Sequence, residues 1–198
     1  VSINLKKYDI ILEPKYDKLI TKIEKYFNKN NLSEIYSSQG TFINSKTEKE
    51  LSNDKNGVLC YVSKNKGLIK YLAKEKINKD YNYYKIITPA ASYKGTSGFS
   101  DIYMLNKKEI HSRSYISFKV NSKKEAESLL SYMKCKLIHI LLSMRKQTDN
   151  LCNSDVFRWI PLSPLNIEWN DEELYKYFKL DKEDIKFIEN IKLDGKYN

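Results

Sequence analysis

The sequence predicts an α+β fold: a mainly antiparallel sheet, one long amphipathic helix and a small helical tail at the C-terminal end. Three observations predict it. Tyr115, Ser117 and Lys119 alternate with Ile116, Phe118 and Val120, the two-residue period of a half-buried antiparallel strand. Ser122 and Glu125 form a Ser-x-x-Glu capping box, after which Leu130, Met133, Leu137, Leu141 and Met144 recur at helical spacing. Pro161 and Pro164 then bar helix ahead of two short helical patterns that close the chain.

Taken in order, residues 8–12 read as a short strand. Pro14 then opens a helix with Leu19, Ile20, Ile23, Tyr26 and Phe27 at helical spacing, ending near residues 28–31. Strand candidates follow at 34–43, 57–62, 68–72, 83–88, 101–105 and 115–120, separated by turns rich in Asn, Gly, Lys and Ser. The long helix covers the stretch 121–148. Residues 153–163 form a loop with a short extended segment, and short helices are expected at 171–178 and 182–191. The chain divides into a body, 1–169, and a short tail, 170–198, packed on it. The start at Val1, inside strand-like VSINLKKYDIIL, reads as part of something longer.

With 198 residues and 41% hydrophobic content, the chain can bury a sizeable core. Its net charge is +10, and the charge is uneven. The tail holds 6 Lys against 8 Asp and Glu, which leaves 29 cations against 17 acids in the body, a surplus of 12. A basic body favours a polyanionic partner such as nucleic acid, although a solvated lysine surface gives the same composition. Cys60, Cys135 and Cys152 are odd in number and lack metal-ligand spacing, and only His111 and His139 could join them. Neither a disulfide framework nor a zinc site is encoded. No long apolar run or signal peptide is present, so a cytoplasmic protein without membrane contact is expected.

Several segments carry candidate chemistry. Only three arginines occur among 32 lysines, and Arg113, in Ser112-Arg113-Ser114-Tyr115, suits a bidentate contact with a guanine edge. Gln39, in Ser37-Ser38-Gln39-Gly40-Thr41-Phe42, can pair bidentately with adenine, and Thr41 offers a hydroxyl beside it. The polar loop at 88–98 contains Ser92, Tyr93, Lys94 and Thr96, as a phosphate-following loop does; a plain connection between strands reads the same way. Lys134, Lys136, Arg145 and Lys146 lie along the long helix or at its end, where they suit either phosphate or the helix dipole. Asp9, Glu13 and Lys15 loosely match the acid, acid and lysine arrangement of metal-dependent nucleases, but Pro14 interrupts it. There is no Gly-rich cofactor loop and no Asn/Asp-Pro-Pro-aromatic motif, so methyl transfer by this chain alone is not expected.

The order YDIIL, IYSSQGTF, KIITPAASYKG, SRSYISF, NSKKEAESLLSYMKCKLIHILLSMRKQT, FRWIP and WNDEELYKYFKLDKEDIKFIE resembles the specificity half of restriction-modification adenine-specific DNA methyltransferases. The resemblance covers about residues 9–191; its most specific parts are Ser131, Tyr132, Lys134 and Lys136, the Arg145-Lys146 pair, and the acidic ending. It implies a target recognition domain that grips double-stranded DNA beside a methylase domain absent from this chain. It implies no cofactor here and S-adenosylmethionine for that methylase domain. It also implies base or backbone reading by Gln39, Thr41, Ser92, Tyr93, Lys94, Thr96 and Arg113, and phosphate contacts by Lys134, Lys136, Arg145 and Lys146. The competing expectations are a metal-dependent nuclease domain and a protein-interaction module of a restriction-modification system.

Overall fold

The computed structural model describes residues 13–63, 69–77, 79–91, 97–146, 148 and 150–194. Among them are helices α1 (Asp17–Phe27), α2 (Lys123–Met133), α3 (Lys136–Arg145), α4 (Asp171–Tyr177) and α5 (Lys182–Asn190). The strands are β1 (Tyr36–Ser37), β2 (Val58–Tyr61), β3 (Ile69–Leu72), β4 (Tyr84–Pro89), β5 (Tyr103–Leu105), β6 (Ile110–His111) and β7 (Tyr115–Val120). The fold is α+β, and its larger sheet, of order β1-β7-β4-β5, is antiparallel throughout. A smaller sheet of order β3-β2-β6 pairs β2 antiparallel with β3 and parallel with β6.

The pairing of β4 with β7, from Tyr84↔Val120 to Pro89↔Tyr115, sets the two faces of the larger sheet. Ile86, Ile116, Phe118 and Val120 join the main core with the helices. Ile87, Tyr115 and Leu105 lie on the opposite face and pack with Tyr61 of β2, in the smaller sheet. Both faces are therefore covered, and in β7 only Lys119 is exposed. The half-buried alternation expected from the sequence becomes an almost fully buried strand because the second sheet covers the polar side. Fully buried Ile116 and Phe118 each contribute about 1.5–3 kcal/mol of transfer free energy.

The expected strand at 34–43 shrinks to Tyr36–Ser37. Asn31 accepts from the Ser33 N–H, and the Glu34 carboxylate accepts from the Asn31 N–H at 2.9 Å, so residues 32–35 close into a capped 3-10 turn. Local side-chain hydrogen bonds of this kind compete with strand pairing.

The long helix is two helices. Ser122 caps the first, its Oγ accepting from Glu125 N at 3.2 Å, while the Glu125 carboxylate accepts from Asn121 N at 2.8 Å instead of from Ser122 N. The helix then stops at Lys134, and Cys135 adopts an extended conformation (φ −67°, ψ 141°) before α3 begins. Asp171 of the tail holds this break, its carboxylate accepting from Lys136 N at 2.7 Å where α3 has no side-chain cap of its own. Nearby, Ser131 Oγ accepts from Trp169 N. Reoriented in this way, α3 buries almost its whole circumference, from Leu137 to Leu142 together with Arg145. Gly98 packs directly on it: a Cβ there would lie 1.9 Å from His139 Nδ1, so no other residue fits without displacing the ring.

The tail belongs to the main core through Leu174, Tyr175, Phe178, Ile188 and Leu193. At its far end Lys22 of α1 pairs with Asp181 and Asp184. Among the described residues, no helix is long and apolar enough to cross a membrane.

Candidate nucleic-acid interface

The two-residue strand β1 is an edge of the larger sheet, and past Ser37 the chain turns out of it. The turn closes with Thr41 N and Thr41 Oγ1 both donating to the Ser38 carbonyl, at 3.3 and 2.7 Å. Gly40 takes φ +79°, the left-handed region that glycine enters without a Cβ penalty. Phe42 and Ile43 then enter the core between the sheets, fully buried, and anchor the turn from below. Gln39 is left partly exposed at the tip.

Arg113 sits on a second turn. Tyr115 N donates to the Ser112 carbonyl at 3.2 Å, Ser114 N donates to Ser112 Oγ at 3.2 Å, and Ser112 N is tied to the Tyr61 carbonyl of β2 at 2.8 Å. Arg113 is exposed. The two turns meet, because a Cβ added to Gly40 would lie 3.9 Å from Arg113 Cγ. The turn that carries Gln39 and Thr41, both partly exposed, thus lies beside exposed Arg113. Ser92, Tyr93, Lys94 and Thr96 lie outside the described residues. Ala90, just before them, donates to the Ser114 carbonyl at 2.8 Å, so the entry to that loop is held by the Arg113 turn.

The helical cations are placed differently. Lys134 is exposed at the end of α2. Lys136 Nζ donates to the Glu189 carbonyl at 2.6 Å and to the Glu189 carboxylate at 3.3 Å, which ties it to the tail. Arg145 is a correction to the phosphate expectation. It is buried, its Nε donates to the Asp155 carbonyl at 2.9 Å, and its guanidinium lies 4.9 Å from the Trp159 ring centroid. Its packing joins α3 to the segment around Trp159 and leaves the side chain only 7% exposed. Lys146, half-buried, caps the same helix. In the nuclease alternative, Glu13 and Lys15 are exposed and pair with each other at 2.6 Å, while Asp9 lies outside the described residues. Among the described residues no three His, Cys, Asp or Glu side chains cluster as a metal site would require.

Sequence reasoning missed the cleft beside the Gln39 turn. This opening of about 520 Å³ is lined by Ser37, Ser38, Lys79, Asp80, Tyr83 and Lys119, with Tyr36 and Thr41. Buried polar side chains lie behind Tyr83 and Lys119 of its lining. Lys85 has no exposed surface; its Nζ donates to the Tyr83 and Tyr81 carbonyls at 2.7 and 3.1 Å. Burial pulls its pKa down to about 8, with Glu109 and Asp80 acting against it, so it remains largely charged at neutral pH. His111 is buried beside it, bridging Ser112 O and Ser117 Oγ at 3.0 and 2.9 Å, and burial pushes its pKa down to about 4. Burial also raises the Tyr83 phenol to about 12, with Asp80 adding to the shift. The one signal in the sequence was Lys119, a lysine ending the polar side of an otherwise apolar strand. No protein-family model, curated protein or solved structure shows significant similarity to this chain.

Proposed function

We propose that this chain binds double-stranded DNA as the target recognition domain of a restriction-modification N6-adenine DNA methyltransferase. The observation that carries the reading is the meeting of the Gln39 turn and the Arg113 turn, far apart in sequence, with Gln39 partly exposed and Arg113 exposed. Glutamine and arginine are the side chains that pair bidentately with adenine and guanine edges in the major groove. The basic body supplies the long-range attraction to phosphate. Methyl transfer belongs to a methylase domain outside this chain, with S-adenosylmethionine as its cofactor, and the protein acts in the cytoplasm.

The test is fluorescence anisotropy with a random-sequence duplex across a salt series, followed by selection of a preferred site. Binding is expected to weaken steeply with salt, and Arg113→Ala to weaken binding to the selected site by about 1–3 kcal/mol while relaxing the choice of one base. Duplex binding that is absent at low salt sinks the reading. Unchanged affinity and site choice in Arg113→Ala would remove Arg113 from it.

A further inference from the structure

We infer that the cleft beside the Gln39 turn is a phosphate subsite, in which Lys79 and Lys119 balance the anion's charge and the Ser37 and Ser38 hydroxyls donate to its oxygens. The inference deepens the DNA-binding reading and rests on it for the source of the phosphate.

The cleft gathers more positive than negative charge: Lys79 and Lys119 line it beside Asp80, and Lys85 lies behind Tyr83. Lys85 of β4 and Lys119 of β7 are direct cross-strand partners, so their side chains leave the same face of the sheet. Like charges so opposed are unfavourable. Here both ammonium groups lie 4.5 Å from the centroid of the Tyr83 ring, whose π-electrons attract each of them. Lys85 cannot swing away, because two backbone carbonyls hold its Nζ. Lys79 adds a third ammonium on the rim. Among the described residues neither Lys79 nor Lys119 makes an ion pair.

The nearby carboxylates, Asp80 and Glu109, offset this charge only in part and have hydrogen bonds of their own. Asp80, on the rim, accepts from Asn82 N at 2.9 Å, and Glu109 accepts from the Asn106 backbone and side chain at 2.7 and 3.1 Å. A concave site with a cationic surplus concentrates its field on an entering anion. Ammonium groups and hydroxyls arranged around an opening suit a multiply accepting oxyanion, which phosphate provides. Ser38 and Gln39 also share one turn, so a nucleic-acid strand whose base meets Gln39 would pass its backbone over the cleft.

The test compares salt slopes of duplex binding for the wild-type chain, the Lys79→Gln/Lys119→Gln variant and a Lys182→Gln/Lys186→Gln control that removes two exposed lysines of α5. Each phosphate neutralised contributes about 0.9 to the slope, so the cleft variant is expected to lose roughly 0.9 and the control almost nothing. Lys79→Arg/Lys119→Arg, which keeps both charges, should restore the slope and separates contact loss from misfolding. An unchanged slope in the cleft variant overturns the subsite and leaves the DNA reading standing. If the wild-type chain does not bind duplex at all, the DNA reading fails, and titration with inorganic phosphate decides the cleft. Amide NMR shifts at Ser37, Ser38 and Thr41 that vanish in the cleft variant would keep it as a free-phosphate site, and absence of shifts overturns it.

Discussion

The two histidines are held neutral in opposite tautomers. His139 Nδ1 accepts from Phe99 N at 3.1 Å, whereas His111 Nδ1 faces the Ser112 carbonyl and therefore carries the proton. Burial pushes both pKa values down to about 4. Between pH 6.5 and 4 the unfolded chain takes up protons on these residues that the folded chain does not. Stability is therefore expected to be level above pH 6.5 and to fall as the pH drops toward 4, by on the order of 3 kcal/mol per histidine. Urea unfolding at pH 7 and pH 4.5 measures this. His139→Gln offers an acceptor to Phe99 N without titrating, and its loss over the same range should be smaller; an equal loss would assign the effect to carboxylates. Gln39 and Arg113 stood out in the sequence because their hydrogen-bonding geometry belongs to the residue itself. Arg145 stood out for the same reason, yet its guanidinium lies against Trp159. Residue type reports what a side chain can bind and says nothing of whether solvent reaches it.

At the scale of elements, the break between α2 and α3 depends on a distant partner. The Asp171 carboxylate takes the Lys136 N–H, one of the first-turn donors that have no partner within α3, and burial raises its pKa despite that bond. Asp171→Ala is expected to cost about 0.5–2 kcal/mol, the usual cost of losing an N-cap, and Asp171→Asn less because an acceptor remains. Chemical denaturation of both variants measures the difference, and equal stability of Asp171→Ala and wild type would remove the capping role. The amphipathic period ran through residues 123–145 without a proline or glycine, so nothing local marked the break. The strands at 58–61, 69–72, 84–89 and 115–120 were legible because their apolar runs end at turn residues. The two-residue pairing of β6 was not, since Ile110 and His111 are too few to form a pattern.

At the scale of the whole molecule, the acidic tail and the basic body share one core. Tyr26 meets Phe178 edge to face at 4.9 Å, Trp169 meets Tyr177 at 5.3 Å, and Lys136 Nζ donates to the Glu189 carbonyl at 2.6 Å. A chain truncated after Asn170 would expose the surface that Leu174, Phe178 and Ile188 cover and would lose the Asp171 cap. It is expected to lose cooperative thermal unfolding and near-ultraviolet circular dichroism. A sharp transition retained by the truncated chain would show that the body folds without its tail.

The α+β class, most element positions and the basic body follow from local period, capping residues and charge, which a linear sequence carries in full. The break in the long helix, the second covered face of β7, the burial of Arg145 and the lysine cleft beside Gln39 were decided by tertiary contacts. Each depends on residues apart in the chain: Asp171 with Lys136, Tyr61 with Tyr115, Arg145 with Trp159, and Lys119 with Tyr83 and Lys85. Local pattern determines which segments form helix or strand, whereas the environment of a polar group is set by the segments that come to lie over it.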